Sequence, residues 1–303
     1  MRRRSEIEPR RRTEAALSVE GLRVSYGPVK ALTGVTFSLR PGRVCGVVGM
    51  NGSGKSTLIK AVVGTVRSTG DVSVYGESAR SARKDGLVGY VPQNEGVDWD
   101  FPLSVADVVM MGRYGRMGWT RRPRPDDVEA VDRALDMVGV PELRDRQIGA
   151  LSGGQRKRVF IARAIAQGAR LLLMDEPFAG VDKPSEGAIV SLVRNLAAGG
   201  AAVLVATHDL DGMSELCDEA LLLLREVVFQ GDVEDALRPE NLGRAFGVSA
   251  NGAAALDVWF NGGSGRFGQR PARKGEGRCL ICGRLSGGCG PTSSWSAESS
   301  SQR

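Results

Sequence analysis

Gly49-Met50-Asn51-Gly52-Ser53-Gly54-Lys55-Ser56, with Thr57 next, is a complete GxxxxGK[ST] phosphate loop. The apolar run Val44–Val48 precedes it, and a helical pattern over residues 58–63 follows. That strand–loop–helix setting separates the motif from a chance glycine-rich turn. Gly49, Gly52 and Gly54 let backbone N–H groups curl around an anion, with Asn51 and Ser53 inside the curl. The helix that follows offers its positive end. Lys55 is expected to reach β- and γ-phosphates, Ser56 to ligand Mg²⁺, and Thr57 to extend the same nucleotide contact.

A second signal lies far downstream. Leu171-Leu172-Leu173-Met174-Asp175-Glu176 is a buried apolar strand that ends in two carboxylates. Many buried strands end in an acid, so the pattern gains weight only from the phosphate loop in the same chain. In that company Asp175 is expected to hold Mg²⁺, directly or through water, and Glu176 to orient and polarise the attacking water.

The third signal, Leu151-Ser152-Gly153-Gly154-Gln155, opens a helix. A serine hydroxyl and two glycine amides at a helix N-terminus can make an anion site. With this LSGGQ the chain resembles the ABC ATPase family over about residues 15–245. The resemblance implies an α/β P-loop NTPase core of the ABC ATPase type, with a helical subdomain and an antiparallel β subdomain. It also implies ATP and Mg²⁺ as cofactors, and a head-to-tail dimer in which Ser152, Gly153, Gly154 and Gln155 meet the γ-phosphate bound by the partner copy. Tyr26 matches the aromatic that stacks on adenine. Gln93 matches the glutamine that senses Mg²⁺ and the water, Asp182 the loop that crosses the dimer interface, and His208 the switch histidine at the γ-phosphate. His208 is the only histidine of the chain and stands 32 residues after Glu176.

A narrower resemblance involves Asn94-Glu95-Gly96-Val97-Asp98-Trp99-Asp100-Phe101-Pro102-Leu103-Ser104-Val105 and then Asp107-Val108-Val109-Met110-Met111-Gly112-Arg113-Tyr114-Gly115. Asp145-Arg146-Gln147-Ile148-Gly149 and Glu176-Pro177-Phe178-Ala179-Gly180-Val181-Asp182 share it. These are similar to ATPases of manganese, zinc and iron uptake systems. The resemblance implies integral membrane permease subunits as partners, an extracytoplasmic solute-binding protein as an indirect one, and a place on the cytoplasmic face of the membrane. An exporter ATPase, or an importer ATPase for another solute, is the nearest alternative. A chromosome-type ATPase of the same superfamily inserts a long coiled coil between the glutamine and the signature, but only 58 residues separate Gln93 from Ser152. Ribosome-acting relatives carry two ATPase domains per chain, and this chain shows one.

Bulk properties agree. Hydrophobic residues make up 42% of the 303 residues and charged ones 25%, as in ordinary globular proteins. No apolar run approaches the ~18–20 residues of a membrane span. The arginine-rich start lacks an apolar segment after it, so no secretory signal is expected. The net charge of +6 sits at the ends. Residues 1–14 hold six arginines against three glutamates, and residues 261–303 hold seven basic against two acidic residues. The middle is slightly acidic, so no nucleic-acid partner is expected. Domain boundaries follow: a basic disordered 1–14, an ATPase domain over 15–250 with its helical subdomain at about 95–167, and a low-complexity, disordered tail over 251–303. In that tail Cys279, Cys282 and Cys289 suggest zinc, but a structural zinc site needs four ligands and the tail has no histidine. Strands are expected at 17–24 around a Glu20-Gly21 turn, and at 35–39, 44–48, 72–75, 87–91, 171–174, 203–206 and 221–224. Helices are expected at 126–138, 155–167 and 185–198.

Overall fold

The computed structural model describes residues 15–93, 102–210 and 212–246. The basic N-terminus, the tail with its cysteines, and residues 94–101 of the uptake-type stretch lie outside the described residues.

Two sheets carry the fold. The first has four antiparallel strands in the order β2-β1-β4-β5, from β1 (Leu17–Tyr26), β2 (Val29–Leu39), β4 (Thr69–Val74) and β5 (Glu77–Ser78). The second has six strands in the order β10-β9-β3-β8-β7-β6. Its members are β3 (Val44–Val48), β6 (Val88–Val91), β7 (Leu171–Asp175), β8 (Ala202–Thr207), β9 (Glu219–Leu223) and β10 (Val227–Asp232). All pairings in it are parallel except the antiparallel β9–β10 edge. Strands β3, β7 and β8 are buried at every residue. Helices or the other sheet cover both faces, which is why these strands read as unbroken apolar runs rather than alternations.

Side chains alternate across the sheet and so split the core in two. Val44, Val48, Leu172, Met174, Val203, Val205 and Leu222 face a helical layer. Cys45, Val47, Leu171, Leu173, Leu204 and Leu221 face the four-stranded sheet. Truncating one such leucine to alanine is expected to cost about 2–5 kcal/mol.

The helices are α1 (Lys55–Val63), α2 (Ala79–Lys84), α3 (Val105–Met110), α4 (Pro125–Met137), α5 (Gly153–Gln167), α6 (Lys183–Ala198), α7 (Met213–Leu216), α8 (Val233–Ala236) and α9 (Pro239–Ala245). Caps set their starts. Ser104 and Asp107 form a capping box on α3, and Pro125 with Asp126 and Asp127 opens α4. Asp127 is buried, accepts from the Arg124 amide (3.1 Å) and pairs with Arg113 Nε at 2.9 Å. Arg113 also donates to the Ala166 carbonyl at 3.0 Å, so this ion pair joins α4 to α5. Helices α5 and α6 each begin two residues before the expected start, because Ser152 and Asp182 cap them.

One expectation is corrected. Glu20-Gly21 is no turn: β1 runs through it, with Gly21 at φ +61° and a register shift between Val19 and Leu22. A bulge absorbs the extra residue while the strand continues. Strand β2 also starts at Val29, earlier than expected, and β10, α2, α8 and α9 carry too little buried apolar surface to announce themselves.

Candidate nucleotide site

Parallel strands place their C-terminal ends on one edge, and the sequence puts a functional residue just past each. Gly49 follows β3, Glu176 follows β7, His208 follows β8, and Gln93 stands two residues beyond β6. The register pairs Val91 with Met174, Asp175 with Ala206 and Val48 with Thr207, so these four ends lie level.

The phosphate loop is held from both sides. A Cβ on Gly49 would collide with the Leu223 carbonyl and Ser53 Oγ. Gly54 has φ +106°, and a Cβ there would come within 2.6 Å of Leu32 and 3.0 Å of the Ala31 carbonyl. Gly54 also N-caps α1 without a side-chain cap, which leaves the first amides of the helix facing out for an acceptor. Ser53 is buried in the loop, its amide bonded to Met50 O (3.0 Å) and its carbonyl accepting from Arg225 N (2.7 Å). Lys55 Nζ donates to the carbonyls of Gly49 (2.6 Å) and Met50 (3.2 Å). Burial lowers its pKa, while Glu176 and Asp175 act in the opposite direction.

Ser56 Oγ donates to Asp175 Oδ1 at 3.0 Å. Burial raises the Asp175 pKa and the Glu176 charge adds to this, with the Ser56 bond acting against both. Glu176 adopts φ +46°, an uncommon conformation for a non-glycine residue, fixed by its amide bond to Ala206 O (2.9 Å). Its carboxylate is held between two neighbours. Gln93 Nε2 donates to Oε2 at 2.7 Å, and His208 Nδ1 lies 3.1 Å from Oε1. Ser56, Gln93, Glu176 and His208 border one cleft of about 460 Å³, which also takes in Asn51, Gly52 and Thr57, with Tyr26 and Val29 exposed in its lining.

The signature residues are elsewhere. Ser152 Oγ accepts from the Gln155 amide at 3.3 Å, and Gln155 Oε1 accepts from the Ser152 amide at 3.0 Å. Gly153 packs on the Gly180 carbonyl, and Gly154 on Ser185 and Val181. Asp182 accepts from the Ser185 amide and hydroxyl, both at 3.0 Å, which holds its carboxyl below the usual range. None of Ser152, Gly153, Gly154, Gln155 or Asp182 lines the cleft of its own chain.

Sequence reasoning passed over three residues. Lys30 and Arg225 also line the cleft. Lys157 is buried and donates to the carbonyls of Pro92 and Gln93, both at 2.9 Å. The only available signal was a lysine on the buried face of an amphipathic helix.

Comparison with known proteins identifies the family. The family described as ABC transporter matches residues 32–179. The chain is similar to the manganese transport system ATP-binding protein MntA of Synechocystis sp., with 46% identity over 76% of this chain and 90% of that one. It is 46% identical to the chelated iron transport system membrane protein YfeB of Yersinia pestis, over 80% and 84% of the two chains. It is 43% identical to the zinc transport system ATP-binding protein TroB of Treponema pallidum, over 78% and 88%. Among solved structures, a metal-chelate type ABC transporter in an inward-facing conformation aligns with TM-score 0.68 and 32% identity, over 76% of this chain and 88% of that one. The ADP conformation of an ATP-binding cassette aligns with TM-score 0.68 and 26% identity, over 77% and 98%.

Proposed function

This chain belongs to the ABC transporter family of ATP-binding subunits, and from that premise we propose that two copies, head to tail, enclose two ATP molecules and energise import of a divalent transition metal. ATP binding and hydrolysis are the chain's own activity. The metal is cargo, handled by permease subunits in the membrane and delivered by a solute-binding protein. Among the described residues no helix is long and apolar enough to cross a membrane. In this proposal the chain takes a peripheral place on the cytoplasmic side, docked on those subunits, as the relatives named for transport systems support.

The observation that carries the reading is the cluster of Gln93, Glu176 and His208 at the mouth of the phosphate loop. Lys55 and the α1 amides bind and orient the phosphates. Glu176 stays fixed by Gln93 and His208, so its carboxylate can orient a water and take its proton. Mg²⁺ fits the donors present, because Ser56 and Asp175 offer hard oxygen ligands 3.0 Å apart. When bound, that ion neutralises charge on the phosphate oxygens.

Manganese is the first candidate cargo and zinc the second, with iron third. Relatives named for manganese, chelated iron and zinc transport at 43–46% identity support the class. Deleting the gene and measuring uptake of radiolabelled Mn²⁺, Zn²⁺ and Fe²⁺ under starvation for each tests it. Loss of uptake of one metal is expected. Unchanged uptake of all three, with another solute failing to accumulate, would refute the metal reading.

A further inference from the structure

Among the described residues strand β6 is an edge of the six-stranded sheet, and its outward carbonyls meet no neighbouring strand there. Side chains of α5 take them up in turn. Gln167 Nε2 donates to Val88 O (2.8 Å) and Gly86 O (3.0 Å), and Arg163 donates to Tyr90 O (3.2 Å). Lys157 Nζ then donates to Pro92 O and Gln93 O. Residues 88, 90 and 92 alternate, as carbonyls on one edge of a parallel strand must. The signature helix is thus laced along the strand that ends at Gln93.

Lys157 occupies the decisive rung. It is 5% exposed, and a buried ammonium is costly unless hydrogen-bonded, whereas helix packing alone asks only for an apolar residue there. It stands two residues beyond Gln155, which closes the capping box of the signature. On its other side, the Gln93 that it holds by the backbone donates to Glu176 at 2.7 Å. The helix backbone from Gln155 to Lys157, the Lys157 bond to the Gln93 carbonyl and the Gln93 bond to Glu176 therefore link the signature to Glu176.

We propose that Lys157 is a positioning residue for hydrolysis, holding Gln93 against Glu176 from the signature helix, so that the hydrolytic group of one nucleotide site follows the helix that serves the other. The link between sites rests on the paired-site reading above; the positioning role does not.

The test is a double-mutant cycle on the full chain, with steady-state hydrolysis and equilibrium ATP binding measured for Lys157→Met, Gln93→Ala and the pair. Misplacing a catalytic group by about 1 Å can cost on the order of a hundredfold, so Lys157→Met is expected to lower kcat by about ten- to a hundredfold. ATP affinity stays within about twofold, since the lost contact acts in the hydrolytic step. Lys157→Arg, which keeps two donors, recovers most of the rate. The double variant is no slower than Gln93→Ala alone, because the first residue acts only through the second. Lys157→Gln replaces the methionine variant in the same cycle if the latter does not fold. Full-rate hydrolysis by Lys157→Met overturns the proposal, as does a double variant in which the two losses multiply. Glu176→Gln, tested alongside for ATP-dependent dimerisation, separates the two readings. Absence of a dimer together with a non-additive cycle overturns the link between sites and supports the positioning role.

Discussion

Helices α1 and α5 both begin on glycine-rich turns of the kind that bind anions, yet they are built to different degrees of completion. The start of α1 has no side-chain cap, so its amides remain for an incoming acceptor. Around it the same chain supplies Lys55, Ser56, Asp175 and Glu176. The start of α5 is capped by its own Ser152 and Gln155, and Ser152 and Gly153 are exposed. It lines no part of the cleft in its own chain. One helix start sits within a cleft lined by its own chain, and the other is exposed, with its shape fixed in advance. Under the proposed pairing, the difference means that a single copy holds both halves of a site without being able to join them.

The sharpest way to break this comparison is at Glu176. Glu176→Gln keeps the shape of the side chain and removes its basicity. Hydrolysis is expected to fall about 10²–10⁴-fold, the usual contribution of a general base, while ATP binding persists. Near-normal steady-state turnover would remove Glu176 from its assigned role.

Ser152→Arg attacks the other half. Hydrolysis is expected to fall about a hundredfold or more, the scale set for lost transition-state donors, with nucleotide binding by the monomer intact. If isolated monomers lose ATP affinity instead, Ser152 serves its own chain's nucleotide. Mixing this variant with Lys55→Ala subunits leaves one composite site without either lesion, so part of the activity returns.

A smaller effect is expected at Tyr26, which lines the cleft and is 48% exposed. Stacking of a base on an aromatic ring contributes about 1–3 kcal/mol, so Tyr26→Ala is expected to weaken ATP binding about five- to a hundredfold, and Tyr26→Phe much less. Calorimetry with the monomer reads this directly, and equal affinities for wild type and Tyr26→Ala would place adenine elsewhere.

Asp127→Asn probes the subdomain that carries the second helix start. It weakens a charge-assisted contact worth about 2–3 kcal/mol of stability, with little change in monomer ATP binding. The Arg124 amide and the Arg113 guanidinium hold the Asp127 carboxyl below its usual range. Its folded pKa is thus depressed, so its stabilisation is present above the unfolded value of about 3.9 and is lost as pH falls through the folded one. Thermal melts between pH 6 and pH 3 should show the wild type losing its advantage over Asp127→Asn as acid is added. A gap that does not narrow in acid would contradict the assignment.

The parallel core was legible because its strands are buried on both faces, and continuous apolar runs such as Leu171–Met174 announce that. The edges were not. Strand β10 buries none of its residues fully and exposes Gln230 and Asp232, and the bulge at Gly21 is a positive-φ residue that reads locally as a turn. The phosphate loop and the Asp175-Glu176 strand end were legible as local patterns, whereas Tyr26, Gln93 and His208 were named from the family resemblance; parallel pairing brings the ends that carry Gly49, Gln93, Glu176 and His208 level. Lys157, Lys30 and Arg225 were missed because their importance comes from which surface they face, which spacing along the chain does not encode. That the signature would stand apart from the cleft was an implication of family resemblance, and no local pattern at 151–155 states it.

Light scattering on size-fractionated Glu176→Gln protein, with and without ATP and Mg²⁺, tests the paired site most directly. The expected result is the mass of one chain without nucleotide, twice that mass with it, and a return to one chain when Ser152→Arg is added. A mass that stays at one chain with ATP, or a doubled mass indifferent to both ATP and Ser152→Arg, would contradict the account.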